Sequence, residues 1–364
     1  MRTYLHQLPD WPRFHWQREV LAERLAAVRH QQGRLLGQMQ ALGFELRQEA
    51  SVEMLTQDVV KSSEIEGERL DAGLVRSSIA RQLGLEAGGA AAEDRHVEGI
   101  VAMMLDATGH CDQSLTAERL MGWHGVLFPT GRSGLARIRV AGWRDDSSGP
   151  MRMVSGAAGR LDREMAAFLE WLNVPAQGDA VWQAGLAHLW FVTIHPFDDG
   201  NGRIARAIAD LALARSEQSA QRFYSMSTQI RRERAAYYDV LERTQRGTMD
   251  VTAWMEWFTD CLGRAIENAQ TTLGGVLAKA RFWAAVANVP LNDRQRLVWR
   301  RLVDGFEGKL TTSKWGALAK CSQDTALRDI LELVERGVLA RGPGGGRSTS
   351  YVLGPVGGRT EREG

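Results

Sequence analysis

The sequence predicts a mainly α-helical protein in which only two places should carry strands. Three observations carry this expectation. Apolar residues recur at three- and four-residue spacing through most of the chain up to residue 270, the period of helices that bury one face. Residues 130–160 (TGRSGLARIRVAGWRDDSSGPMRMVSGAAGR) break that period with glycines and alternating residues, which suggests a loop plus a β-hairpin. Beyond residue 290 a short helix, a turn, a longer amphipathic helix and two strand-like stretches follow one another.

Taken in order, the chain opens on an aromatic-rich entry, Leu8-Pro9-Asp10-Trp11-Pro12-Arg13-Phe14-His15-Trp16, expected to serve packing. A long helix should follow, with Leu21, Leu25, Val28, Leu35, Leu36, Met39 and Leu42 as its apolar positions. A second helix is expected over roughly 49–65, and further helices within 92–129 and over 160–175. Residues 182–194 (WQAGLAHLWFVTI) place Trp182, Leu186, Leu189, Trp190 and Ile194 on one side of a helix, and Pro196 should end it near His195. Residues 203–215 (RIARAIADLALAR) resume a helix, and residues 225–262 bring more, with the Trp254–Phe258 cluster expected in the core. At the C-terminal end, a helix opening at Thr311-Thr312 and running through Ala319 precedes a turn at Lys320–Ser322. An amphipathic helix over Gln323–Arg336 follows, with Ala326, Ile330, Leu331 and Val334 expected inward. A strand at Gly337–Arg341, a turn at Gly342–Gly346 and a returning strand at Ser348–Leu353 complete the order of a winged helix-turn-helix.

At 364 residues, two or three domains are expected. Apolar residues at 44% and charged residues at 24% fit a soluble globular protein. A net charge of +1 gives no global signature for nucleic acid or a membrane surface. The first residues lack the apolar core of a signal peptide, and no apolar run is long enough to span a bilayer. Cys111, Cys261 and Cys321 are odd in number and lack metal spacing, so they read as reduced thiols of a cytoplasmic protein.

The most informative segment is His195-Pro196-Phe197-Asp198-Asp199-Gly200-Asn201-Gly202-Arg203-Ile204-Ala205-Arg206. Its glycines should stand at the start of a helix, where unpaired backbone N–H groups converge on an anion. His195 can accept a proton from an attacking hydroxyl. Asp199 can offer an oxygen to Mg²⁺, which binds through one or two carboxylates plus phosphate oxygens and waters. Gly200 and Gly202 allow close backbone approach to phosphates, and Asn201 can donate to a phosphate oxygen. Arg203 and Arg206, three residues apart, can clamp terminal phosphates bidentately.

This segment resembles the signature of the Fic family, His-Pro-Phe-x-[Asp/Glu]-Gly-Asn-Gly-Arg-x-x-Arg, at every specified position. The resemblance implies a helical core with a hairpin flap and transfer of AMP from ATP to a hydroxyl of a target protein, releasing pyrophosphate. It makes His195 the general base and Asp199 the Mg²⁺ ligand. Gly200, Asn201 and Gly202 become the nest around the α- and β-phosphates, with Arg203 at the β-phosphate and Arg206 at the γ-phosphate. Asp198 fills the variable position and is assigned nothing. Upstream, Ser62-Ser63-Glu64-Ile65-Glu66-Gly67 resembles the family's inhibitory motif, [Ser/Thr]-x-x-x-Glu-[Gly/Asn]. That implies an ion pair between Glu66 and Arg206 that denies Arg206 to the γ-phosphate; Ser62 shares the helix face with Glu66. Glu66 could equally orient a water for AMP removal. Relatives surround the adenine with side chains from the region of 225–262, which makes Tyr238 the candidate base contact. After Val154-Ser155-Gly156 the chain departs from the family: Gly159-Arg160 leads almost directly into Leu161, so the second flap strand is expected to be shortened or absent.

The expected organisation is a helical extension with the inhibitory helix (1–90), the catalytic core (91–270), a winged-helix-like domain (271–353) and a disordered tail (354–364). The leading expectation is a self-restrained protein adenylyltransferase using ATP and Mg²⁺ on a Ser, Thr or Tyr hydroxyl of a partner or of itself. AMP removal, or transfer of another phosphate-containing group, stays open. So does a DNA-binding regulator that only senses nucleotide, with Gln323, Thr325 and Arg328 toward the major groove and Arg341 and Arg347 at phosphates. Relatives often associate through helical faces, which makes a homodimer an expected state.

Overall fold

A computed structural model describes residues 4–85, 94–144, 160–176, 178–274, 276, 286, 289–303, 309–342 and 349–354. The Met151–Val154 stretch, the length of the second flap strand, residues 343–346 of the expected C-terminal turn and the tail from residue 355 lie outside the described residues. The chain divides into two compact units, residues 1–272 and 273–364.

In the first unit the entry segment leads into α1 (Arg18–Gln40), α2 (Phe44–Ile65) and α3 (Ala72–Gln82). Then come α4 (Arg95–Gly109), α5 (Ala117–Leu127) and a hairpin of β1 (Arg132–Ser133) and β2 (Ala136–Arg137). The unit closes with α6 (Arg160–Asn173), α7 (Ala180–Ile194), α8 (Asn201–Glu217), α9 (Met226–Arg232), α10 (Arg234–Gln245) and α11 (Thr252–Thr272). The helices expected within 92–129 are α4 and α5, each started by a side-chain cap: Asp94 accepts from the His96 and Val97 N–H groups, and Thr116 from that of Arg119.

Helices α7 and α8 form the centre. The sequence places an apolar stripe on one side of α7, but Ala184, Ala187 and Phe191 on its other sides are buried too. The reason is composition: a helix apolar all round must be covered all round. Helix α8 is buried from Arg203 to Ala214, packed against α7 and α4, and α2 lies across α3 and α9. The entry aromatics do serve packing. Trp11 and Phe14 meet Trp190 edge-on at 6.3 and 5.6 Å, and the backbone of His15 bridges that of Asp250. Trp254, Met255 and Phe258 lie in the core as expected. Antiparallel pairing sets Arg132 opposite Arg137 and Ser133 opposite Ala136. The turn places Gly134 at φ 55°, the positive φ that a two-residue hairpin turn takes at its first central position.

In the second unit, α12 (Asp293–Val303), α13 (Thr312–Ala319) and α14 (Gln323–Glu335) are followed by β3 (Leu339–Arg341), antiparallel to β4 (Tyr351–Leu353). Thr311 and Ser322 cap α13 and α14. Trp299, Trp315, Ile330, Leu333 and Tyr351 share the core. One inward assignment is corrected. Leu331 is 39% exposed and Leu333 is fully buried. On α14 the stripe Ala326–Ile330–Leu333 closes the three- and four-residue pattern, and Leu331 stands about 100° away from Ile330.

Candidate functional site

The histidine loop is built by the end of one central helix and the start of the next. Helix α7 stops at Ile194, as Pro196 predicts, and His195 takes a left-handed conformation with φ 53°. That backbone state is uncommon for a residue with a Cβ. It is held by the His195 N–H donating to the Phe191 carbonyl at 2.9 Å, and by Arg144, whose Nε donates to the His195 carbonyl at 2.8 Å. Below it, Phe197 is fully buried and stacks on His124 with ring centres 4.2 Å apart. Burial lowers the pKa of His124 to about 4, so the ring is neutral, and its Nδ1 accepts from the Ala141 N–H at 3.2 Å.

Asn201 stands where the motif leads, but its amide is committed elsewhere. Its Oδ1 accepts from the Phe197 N–H at 3.0 Å, and its Nδ2 donates to the Phe197 carbonyl at 2.8 Å. An asparagine only 2% exposed must find partners inside the protein. In this structure Asn201 clasps the loop shut through its oxygen and one amide N–H, which leaves the second N–H of that amide for another acceptor. Asp198, assigned nothing from the sequence, accepts from the Arg139 N–H at 2.8 Å and ties the loop to the segment after the hairpin. Asp199 accepts from the Gly200 N–H at 2.7 Å and from the Ser133 hydroxyl of β1.

Helix α8 then begins at Asn201, with Gly200 left-handed at φ 79° as its N-cap. A Cβ at Gly200 would stand 2.9 Å from the Phe128 ring, and one at Gly202 only 2.1 Å from the Glu66 carboxylate. The anion cradle is thus filled from within, because the Glu66 carboxylate lies over the first turn of α8. Arg206, 2% exposed, donates through Nε to the Ser62 hydroxyl (2.9 Å), and through Nη2 to the Ser62 carbonyl (2.9 Å) and to Glu66 Oε1 (2.8 Å). Burial works against its charge. The Glu66 carboxylate and the nearby Tyr237 and Tyr238 outweigh that and raise its pKa above the ordinary arginine value. Ser62 therefore holds the guanidinium through both its hydroxyl and its carbonyl, more than the shared helix face implied.

Two participants escaped the sequence reading. Helix α2 ends in a turn in which Gly67 has φ 89° and the Glu68 N–H donates back to the Ser63 carbonyl at 3.0 Å. That turn sends Glu66 to Arg206 and Glu68 to Arg203, whose Nη1 donates to Glu68 Oε2 at 2.9 Å. Glu68 also meets His96 of α4, and this hydrogen bond lowers the Glu68 pKa, with Arg203 adding, and raises that of His96 against the charge of Arg203. A Glu-Gly-Glu triplet was visible, but no periodicity tells which cation the second carboxylate reaches. Both motif arginines are therefore held by carboxylates that straddle one glycine. Since Glu68 is about one-third exposed, its pair with Arg203 contributes modestly. Glu68→Gln should tighten ATP binding about threefold to tenfold, read by calorimetry; unchanged affinity would mean that Glu68 does not compete for Arg203.

Tyr238 is half-buried on α10, its ring 4.9 Å from that of Tyr237, with the Arg234 guanidinium 5.1 Å from its centre. Burial, then the Glu66 carboxylate, raises its pKa, so the structure brings it into the surroundings of Glu66 and Arg206. Among the described residues no group of three or more His, Cys, Asp or Glu side chains could hold a metal. No helix among the described residues is long and apolar enough to cross a membrane.

Residues 114–213 match the Fic/DOC family, and residues 4–85 match a domain of unknown function, DUF4172. A "Protein adenylyltransferase Fic" of Culex quinquefasciatus is 27% identical over 241 residues, covering 64% of this chain and 45% of that protein. One of Nematostella vectensis is 32% identical over 117 residues, 31% of this chain and 26% of that protein. The chain thus spans less than half the length of these relatives. Among solved structures, a Fic family protein from Desulfovibrio desulfuricans G20 superposes with a TM-score of 0.54 at 19% identity, covering 92% of this chain and 97% of that one. A Fic domain containing signaling protein from Bacteroides thetaiotaomicron gives 0.51 at 18% identity, covering 68% and 98%. At these identities the two structures show a shared fold.

Proposed function

Because this chain carries a Fic/DOC family domain, we propose that it is a protein adenylyltransferase restrained by its own glutamates. It moves AMP from ATP to a Ser, Thr or Tyr hydroxyl of a partner or of itself. The observation that carries the reading is the Glu66 carboxylate on the Gly202 face, 2.8 Å from Arg206, in the space a polyphosphate would need. A cradle that accepts an internal carboxylate is one built for an anion.

In the proposed reaction His195 takes the proton of the target hydroxyl. The oxygen forms a bond to the α-phosphorus, and the bond from that phosphorus to the bridging oxygen breaks as pyrophosphate leaves. The helix N-terminus at Gly200 and Gly202 binds the phosphates, Arg203 and Arg206 hold the outer ones, and Tyr238 contacts the base. Asp199 would hold Mg²⁺, which supplies charge neutralisation on the phosphates when bound. The order of α13, α14, β3 and β4 supports reading the C-terminal unit as a winged-helix module. The test is intact-mass analysis of the Glu66→Gly protein, alone and with host lysate, after incubation with ATP and Mg²⁺. The expected result is addition of adenosine monophosphate. Absence of any adduct on itself or on lysate proteins would sink the reading, and a smaller adduct would redirect it to another phosphate-containing group.

A further inference from the structure

One helical turn from the arginine latch, the same two helices meet again through a pair of acids. Asp58 stands four residues before Ser62 on α2, and Asp210 four residues beyond Arg206 on α8. They are 4% and 3% exposed. The pairs Asp58 and Asp210, Ser62 and Arg206, and Glu66 and Gly202 thus mark successive rungs between helices that pass in opposite directions, each about 6 Å from the next.

Each acid is satisfied on one oxygen only. Asp58 Oδ1 accepts from the Ser225 hydroxyl at 2.5 Å and the Ser227 N–H at 3.1 Å; Asp210 Oδ1 accepts from Arg222 Nη2 at 3.0 Å. Both Oδ2 atoms are buried without a hydrogen-bond partner among the described residues, and the two side chains line one small cavity between α2 and α8. Ionised carboxylates have acceptors alone, so two such orphaned oxygens in one cavity can satisfy each other only through a proton held between them. The surroundings enforce it. Arg222 is shared between Asp210 and Glu217 (3.1 Å), and Glu217 also accepts from the Tyr224 hydroxyl and from Gln32. From α4, the Thr108 hydroxyl is spent on the Met104 carbonyl. One guanidinium therefore faces three acids. Burial first, then the charge of Asp58, pushes the Asp210 carboxyl well above the usual range.

We propose that Asp58 and Asp210 are positioning residues: a single proton shared between their carboxyls clips α2 to α8 and so keeps Glu66 on Arg206. The inference rests on the autoinhibited reading above. Opening α2 exposes the pair to water, which releases the shared proton to solvent. A carboxyl whose folded pKa is raised stabilises the closed state fully below its unfolded value of 3.8, and that contribution is lost as pH rises towards the folded pKa. In that range the opening constant of α2 rises by up to about tenfold per pH unit.

One other nearby pair titrates. His96, raised by Glu68, stabilises the end of α2 fully below 6.5 and less above it. Measurement between about pH 5 and pH 6.3 therefore stays below the range in which the His96 contribution is lost. On the full chain, amide hydrogen exchange in the C-terminal half of α2, corrected for intrinsic exchange, should accelerate by up to about 20-fold across that window. Asp210→Asn, whose amide donates to Asp58 at every pH, should keep the protection and lose the slope. Asp210→Ala should lose the protection at both ends. If Asp210→Asn does not fold, Asp58→Asn places the permanent donor on the other helix and makes the same prediction. A wild-type slope in the asparagine variant, or none in the wild type, would overturn the clip. Should Glu66→Gly never acquire AMP, the transfer reading fails, and the exchange slope still decides whether the clip exists.

Discussion

Glu66→Gly protein should transfer AMP about 10- to 100-fold faster than the wild type. The Arg206 side chain is 1% exposed, so it cannot turn to water when its carboxylate partner is lost. Removing one member of a fully buried pair costs about 3–5 kcal/mol because the remaining charge is stranded. Glu66 is about one-third exposed, which reduces that figure through solvent screening to about 1.5–3 kcal/mol. The same stranding gives the γ-phosphate of ATP an unoccupied partner, and the space over Gly202 is vacated at the same time. Two measurements check this. Initial rates with α-labelled ATP should rise, and the thermal midpoint should fall without ATP and recover in its presence. Equal labelling rates for the two proteins would remove Glu66 from any restraining role.

His195→Ala in the Glu66→Gly background should lower labelling by about 10²–10⁴ while leaving ATP affinity near that of the parent. The separation follows from geometry. The loop is held by its backbone, through the His195 carbonyl to Arg144 and through Asn201 to Phe197. Losing the imidazole therefore removes a proton acceptor and leaves the cradle standing. Calorimetry with ATP and single-turnover labelling read the two effects independently. Retained labelling would exclude His195 as the base; lost ATP affinity would make it a structural residue.

The parts of the site that were legible are those whose partners lie close along the chain. The end of α7 at Pro196, the start of α8 at the glycines and the placing of Arg203 and Arg206 on its first turns are local consequences of residue type. The long-range pair of Glu66 and Arg206 was foreseen only because a second motif named both partners. Where no motif spoke, the reading stopped. Glu68 lies two residues beyond Glu66, yet its path to Arg203 depends on the left-handed turn at Gly67 and on where α8 runs. Asn201 takes on a task its type did not announce: burial makes it clasp Phe197 with its oxygen and one amide N–H. Leu331 misled because neighbouring leucines on an amphipathic helix compete for one stripe, and the facing core chose Leu333.

By itself, then, the sequence determined the helical class, the loop-to-helix transition at 195–206 and the residue inventory of the candidate site, because backbone sterics and helix period act over a few residues. The tertiary structure alone decided that Glu68 meets Arg203 and His96, and that two buried acids, Asp58 and Asp210, line one cavity between α2 and α8. Charge pairing and burial act through space between helices distant in the chain. The same residue types could have been solvated faces, had α2 packed one turn higher or lower against α8.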